Sequence, residues 1–253
     1  TYAWLLAGLP LALFGMALST AVFPRLAGQV AREELDELNR TVSRVLRLIM
    51  FLTVPAALGL AMLREPAAIT LLERGAFTRP DSLMTAAALG WYCLGIVPQA
   101  GIEIHSRGFY ALGDTRTPVT LAVLAVGVNL LLGALLWEPF GVSGLAFAVG
   151  AASWAEWLGL YALFLRRTGW NPAEELGAMA RVALAGALMA AALAAATVLL
   201  DSETRAHAAV TAAAGVAAGA LCYAAACLAL RVPELEEVTN RLAARLRRGR
   251  APG

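Results

Sequence analysis

The chain has 253 residues, 60% of them apolar, and a mean hydropathy of +0.69. That composition excludes an ordinary water-soluble globule and a disordered polar chain. The net charge is only +2, but all twenty basic residues are arginines, and they are unevenly placed.

With roughly 20 apolar residues needed per bilayer crossing, seven runs qualify or nearly qualify, and they predict an all-α integral membrane protein. The first, Leu5–Phe23, begins almost at once. No basic leader precedes it, so it is not a signal peptide, and a start at Thr1 predicts a piece of a longer membrane protein. From Gly28 to Arg47 the chain is charged but periodic. Val30, Leu35, Leu38, Val42 and Val45 recur near one helical face, which predicts a linker helix lying along the cytoplasmic interface. The second run, Leu48–Leu63, is short, with Pro55 near its middle. An outer loop follows, in which Gly75 ends a short apolar stretch and Pro80 with Asp81 or Ser82 is expected to start the next helix.

The third run, Leu83–Ile104, leads into a polar hinge, Ser106–Pro118, before the fourth, Val119–Trp137. Gly113 suits a left-handed helix cap, Asp114, Thr115 or Thr117 can cap the next helix, and Pro118 fits its first turn. Phe109 and Tyr110 sit where aromatic side chains favour the membrane–water boundary. The remaining runs are Gly144–Leu165, Val182–Leu200 and His207–Leu230. The last two are alanine-rich, and Gly215 and Gly219 form a GxxxG expected to serve packing within the chain. Residues 1–231 thus read as a transmembrane lobe and 232–253 as a basic tail favouring anionic cytoplasmic lipid.

Seven crossings put alternate loops on opposite sides. Sixteen arginines then fall on one side, in the loops around 25–47, 107–116 and 166–181 and in the tail, against Arg64, Arg74, Arg79 and Arg205 on the other. By the positive-inside rule the tail is cytoplasmic and the N-terminus outside. If the native N-terminus is cytoplasmic, an outside start predicts an odd number of crossings upstream.

Catalytic signatures are missing from the sequence. Cys93, Cys222 and Cys227 lie in apolar runs without a CxxC pair, and His105 and His207 are single. The cysteines read as small core residues rather than a disulfide or metal site, and the histidines, far apart in sequence, give no support to a metal cluster. No phosphate loop or nucleophile elbow is present, so neither an enzyme nor a cofactor or metal is expected. Three polar residues near run interiors are cavity candidates. Glu103 lies one turn before Arg107, and either pairs with it or lines a polar cavity. Glu156, between Trp154 and Trp157, reads as a cavity carboxylate. Asn129 reads as a hydrogen-bonding link between helices or part of an ion site. Pro10, Pro55 and Pro98 interrupt the first three runs, as is frequent in transporters. Transport is the class these features support, without specifying a substrate.

The hinge SRGFYALGDTRTPV, the outer-loop RGAFT and the opening LPLALFGMALSTAVFPRLAG together resemble the MurJ/MviN family of lipid II flippases. The resemblance runs through essentially the whole chain and corresponds to the C-terminal half of that family's fourteen-helix architecture. It implies a place in the multidrug/oligosaccharidyl-lipid/polysaccharide exporter superfamily. It further implies alternating-access movement of the undecaprenyl-pyrophosphate-linked peptidoglycan precursor across the bacterial inner membrane for cell-wall synthesis. The implied partners are that glycan lipid, membrane lipids and an N-terminal lobe, with no nucleic acid. The motif residues Arg74, Gly75, Phe77 and Thr78, and Arg107, Phe109, Tyr110, Asp114, Arg116, Thr117 and Pro118, are expected to be mainly structural. Two departures stand out. Family members commonly open with Tyr-Ala-Asp-Arg, whereas here Tyr2-Ala3-Trp4-Leu5 places Leu5 at the cavity arginine. Some relatives pair the Asn129 equivalent with a carboxylate for sodium, and that position is Gly133 here. The alternatives are a flippase for another polyprenyl-linked polysaccharide, or a non-transporting membrane scaffold that has lost its cavity residues.

Overall fold

The computed structural model describes residues 2–73, 77–199 and 205–235. Every long element is a helix, and no strand occurs among the described residues. The first helical column is built from α1 (Tyr2–Pro10), a π-helical turn (Leu11–Met16) and α2 (Ala17–Ala31). There follow α3 (Leu35–Met62), α4 (Arg64–Leu72), α5 (Arg79–Ala111), α6 (Arg116–Thr168), α7 (Ala173–Leu199) and α8 (Arg205–Ala229). All except the short α4 contribute to the six helical stretches long and apolar enough to cross a bilayer.

The 53 residues of α6 would reach about 80 Å if straight, far more than the ~30 Å hydrocarbon core. It is not straight. Gly141 adopts φ 54° and ψ −132°, just after Pro139, and breaks the helix. A Cβ at Gly133 would lie 3.3 Å from Leu145, one at Gly159 would lie 3.2 Å from Leu121, and one at Gly144 would strike the Leu136 carbonyl. These pairs are symmetric about the break, so α6 is a hairpin whose two antiparallel arms carry the fourth and fifth apolar runs.

The packing of α5 on the second arm of α6 follows a heptad. Gly150 lies against Leu94, Gly101 lies beneath Trp157, and Gly108 lies beneath Phe164. Successive pairs advance seven residues on both helices, so the two run parallel. Each step sets a glycine of one helix against a bulky residue of the other, the close approach that small residues permit between membrane helices. Similarly, α7 approaches α3 where Gly186 meets Val54 and Leu58. In α8, Gly215 meets Leu63 and Gly219 meets Leu193. Both glycines of the GxxxG therefore serve contacts inside the chain. The Tyr223 hydroxyl ties α8 to α3 by donating to the Phe51 carbonyl at 2.9 Å.

Two sequence expectations change. The amphipathic stretch before the second run is not a separate interfacial helix: from Leu35 it is the start of α3, which runs unbroken through Pro55 to Met62. No glycine or proline interrupts residues 35–54, and the stripe Leu38, Val42, Leu46 and Ile49 is buried in the core. The continuous apolar face keeps the helix in the bundle. The third helix also starts earlier than Pro80: Thr78 is its cap and Arg79 its first residue.

Candidate functional site

The hinge is built from two local devices placed back to back. At the end of α5, the Asp114 N–H donates to the Phe109 carbonyl at 2.9 Å and the Gly113 N–H to Tyr110 at 3.1 Å. Gly113 stands at φ 75°, and the pattern is a Schellman cap, which needs that left-handed residue. Asp114 then caps α6. One carboxylate oxygen accepts the Arg116 and Thr117 N–H groups at 3.0 Å, and the other accepts the Thr117 hydroxyl at 2.7 Å. The Thr117 bonds, with smaller help from Arg116 and Arg167, hold the Asp114 carboxyl below its ordinary range. Pro118 is buried in the first turn, while Arg116 is exposed.

The two hinge aromatics diverge. Tyr110 is 37% exposed, but Phe109 is only 2% exposed and stacks edge-on against Phe164 at 5.6 Å. Phe109 is thus a core residue rather than a boundary anchor, because the Gly108–Phe164 contact draws that face of α5 onto α6.

At the other end of α5, the Thr78 N–H and hydroxyl donate to Asp81 at 2.9 and 2.6 Å, completing a capping box. These Thr78 bonds hold the Asp81 carboxyl low. Phe77 stacks edge-on with Tyr2 at 5.6 Å, so the opening segment and the outer-loop motif meet. Arg74 and Gly75 lie outside the described residues. The hinge and the outer-loop motif are therefore separated by the length of α5, about 50 Å for 33 residues. They frame the lobe and form no common site.

The three polar candidates are not brought together either. Glu103 pairs with Arg107 at 3.7 Å. Glu156 and Asn129 are half-buried and form no hydrogen bond or ion pair among the described residues. The position one turn after Asn129, Gly133, is buried against Leu145. No group of three His, Cys, Asp or Glu side chains placed to hold a metal occurs among the described residues.

A ladder missed from sequence stands instead at the hinge end of the lobe. The buried His105 ring contacts Tyr161 edge-on at 5.4 Å and Phe164 at 5.5 Å, and its Nδ1 donates to the Gly101 carbonyl at 2.8 Å. The readable signal was the seven-residue spacing of Gly101 and Gly108 with that of Trp157 and Phe164. The opposite feature is an open face. Trp4, Leu5, Leu9 and Leu13 point outward along α1 and the π turn, Leu5 being 59% exposed. The π turn follows Pro10, which lacks an N–H, and such turns recur at functional positions.

Comparison with known proteins places this arrangement. The sequence model described as lipid II flippase MurJ matches residues 1–216. A probable lipid II flippase MurJ of Rhizobium meliloti (strain 1021) is 35% identical over 186 residues, which are 73% of this chain and 35% of that protein. Its counterpart in Vibrio cholerae serotype O1 is 32% identical over 185 residues, again 73% of this chain and 35% of the relative. Among solved structures, a lipid II flippase MurJ in an inward closed conformation matches with a TM-score of 0.73 and 23% identity. That match covers 91% of this chain and 45% of the solved one. The chain thus spans about a third of the length of these curated relatives and under half of the solved flippase.

Proposed function

Because the chain belongs to the lipid II flippase MurJ family, we propose that it forms the C-terminal lobe of a flippase for the undecaprenyl-pyrophosphate-linked peptidoglycan precursor. It is a multi-pass membrane protein whose family transports rather than catalyses. On this reading the lobe works in a bacterial inner membrane. The arginine-rich ends and the 232–253 tail face the cytoplasm, and Tyr2 lies on the far side. The open face of α1 meets an N-terminal lobe across a hydrated cavity that shelters the sugar–peptide head group, while the polyprenyl tail stays in lipid. Two rigid lobes rocking about such a cavity supply alternating access. The single observation that carries the reading is the family match over residues 1–216, supported by a fold that overlays 45% of a solved flippase.

Leu5 favours a second reading, a non-transporting scaffold, because it presents an exposed apolar side chain where the family resemblance leads one to expect an arginine. Complementation separates the two. A strain depleted of its lipid II flippase receives the intact protein containing this chain, with and without Leu5→Arg. Growth and lipid II translocation restored by the unaltered protein support the flippase. Rescue by Leu5→Arg alone favours the scaffold. Failure of both, despite membrane insertion, overturns the flippase reading.

A further inference from the structure

Between α3, α5, the second arm of α6 and α7 lies a cavity of about 650 Å³. It exists because α7 packs on α3 and α8 while α6 packs on α5, leaving α6 and α7 apart. Val54, Leu58, Val97, Leu158 and Met179 contribute to its walls, and no charged, hydroxyl or amide side chain lines it. Trp154 lines it too, but turns its N–H away to the Leu94 carbonyl at 3.0 Å. Along α3 the wall extends from Met50 to Ala61, roughly 16 Å at 1.5 Å per residue and so about half the hydrocarbon thickness.

At the Ala61 end stands Arg64. Its guanidinium donates to the Ala61 carbonyl at 3.2 Å and lies across Gly90, where a Cβ would come 3.0 Å from Arg64 Cδ and 3.4 Å from Nη1. Ala61 and Gly90 both line the cavity, so the charge lies beside that end of it. The side chain is half-buried, and no carboxylate pairs with it among the described residues. A guanidinium has five N–H donors, and a half-buried cation at the end of an apolar run is costly without a counter-charge. An apolar slot one leaflet deep, with an arginine beside it that has no carboxylate partner among the described residues, matches an amphiphile with an anionic head.

We propose that this cavity is a resident-lipid site, taking one acyl chain of a membrane glycerophospholipid whose phosphate rests on Arg64. The planar guanidinium fork suits phosphate oxygens, and Gly90 leaves the room in which it lies beside the cavity. The site stands whether or not the lobe transports.

Native mass spectrometry of the full chain in detergent, titrated with phosphatidylglycerol, tests this. The expected result is one phosphatidylglycerol that survives delipidation. Arg64→Gln should weaken its retention about tenfold, the loss of one charge-assisted contact, and Ala180→Trp, which fills the slot, should abolish it. Circular dichroism and gel filtration check both variants, and Ala183→Leu replaces Ala180→Trp should the latter misfold. Retention unchanged in the Arg64 and slot-filling variants overturns the proposal. So does inorganic phosphate binding as strongly as the lipid, which would show an anion site without a chain. Undecaprenyl phosphate displacing phosphatidylglycerol at equal concentration would assign the slot to a polyprenyl chain, and would also overturn it.

Discussion

Gly101→Ala tests the heptad that joins α5 to α6. The added methyl would strike Nε1 and Cε2 of Trp157 and come 2.7 Å from Cδ1. The indole cannot easily retreat. It is 5% exposed and held by Trp154 and Tyr161, with ring centroids 5.3 and 6.2 Å away. Replacing a helix-interior glycine by alanine favours the helix by about 1 kcal/mol, whereas overpacking costs about 1–3 kcal/mol. A rigid aromatic wall puts the cost at the upper end, for a net loss on the order of 1–2 kcal/mol. In a chain of this size each kcal/mol moves Tm by about 2–4 °C, so thermal unfolding in detergent should fall by about 5 °C. Gly127→Ala and Gly177→Ala are the controls, because a Cβ at either meets nothing within 4 Å. They should match or exceed the parent. Adding Trp157→Leu to Gly101→Ala should recover much of the loss, with a coupling of about 1 kcal/mol in the double-mutant cycle. If Gly101→Ala melts together with Gly127→Ala, the glycine–tryptophan packing is not what holds these helices together.

At the hinge, Gly113→Ala forces a side chain into φ 75° and should cost about 1–2 kcal/mol, while Gly113→Asn should cost less; chemical denaturation of the two variants decides. Asp114→Ala removes the α6 cap and should cost about 1 kcal/mol in the same assay. Asp81 and Asp114 have carboxyls lowered from 3.8 by their hydrogen bonds. A lowered folded value means the stabilisation is complete above that ordinary value and disappears as pH falls through the folded one. Melting curves across this acid range should therefore lose part of their steepness in an Asp81→Asn/Asp114→Asn double variant. Glu33 at φ 60° and Arg231 at φ 51° are non-glycine residues in the left-handed region. Glu33→Gly and Arg231→Gly should each raise stability, by up to about 1 kcal/mol, and a fall in Tm for both would refute that account.

The hinge was legible because helix caps are local. Gly113, Asp114 and Thr117 bond to partners within five residues, and those partners stand beside them in the chain. The capping box was equally local, and Thr78 with an acid at Asp81 was its readable sign. Phe109 and Tyr110 mark where legibility stops. Neighbours in sequence, they take opposite environments because only Phe109 faces the second arm of α6. The candidate polar residues fared similarly. The Glu103–Arg107 spacing made their pairing one of two readings, and the structure shows the pair at 3.7 Å, whereas the surroundings of Glu156 and Asn129 depend on which helices pack beside them.

Apolar length, caps and breakers are properties of short windows, so the sequence by itself determined the all-helical membrane character, the number of apolar runs and the places where the chain turns. Tertiary structure alone decided which faces meet: the constant offset between α5 and the second arm of α6, the continuity of α3 into the core, and the cavity left between α6 and α7. The physical reason is that lipid tails are as apolar as leucine. Hydrophobicity therefore does not separate a lipid-facing side chain from a buried one in such a protein. What separates them is the fit of Gly101 under Trp157 and Gly108 under Phe164, which acquires meaning only once two distant helices lie side by side.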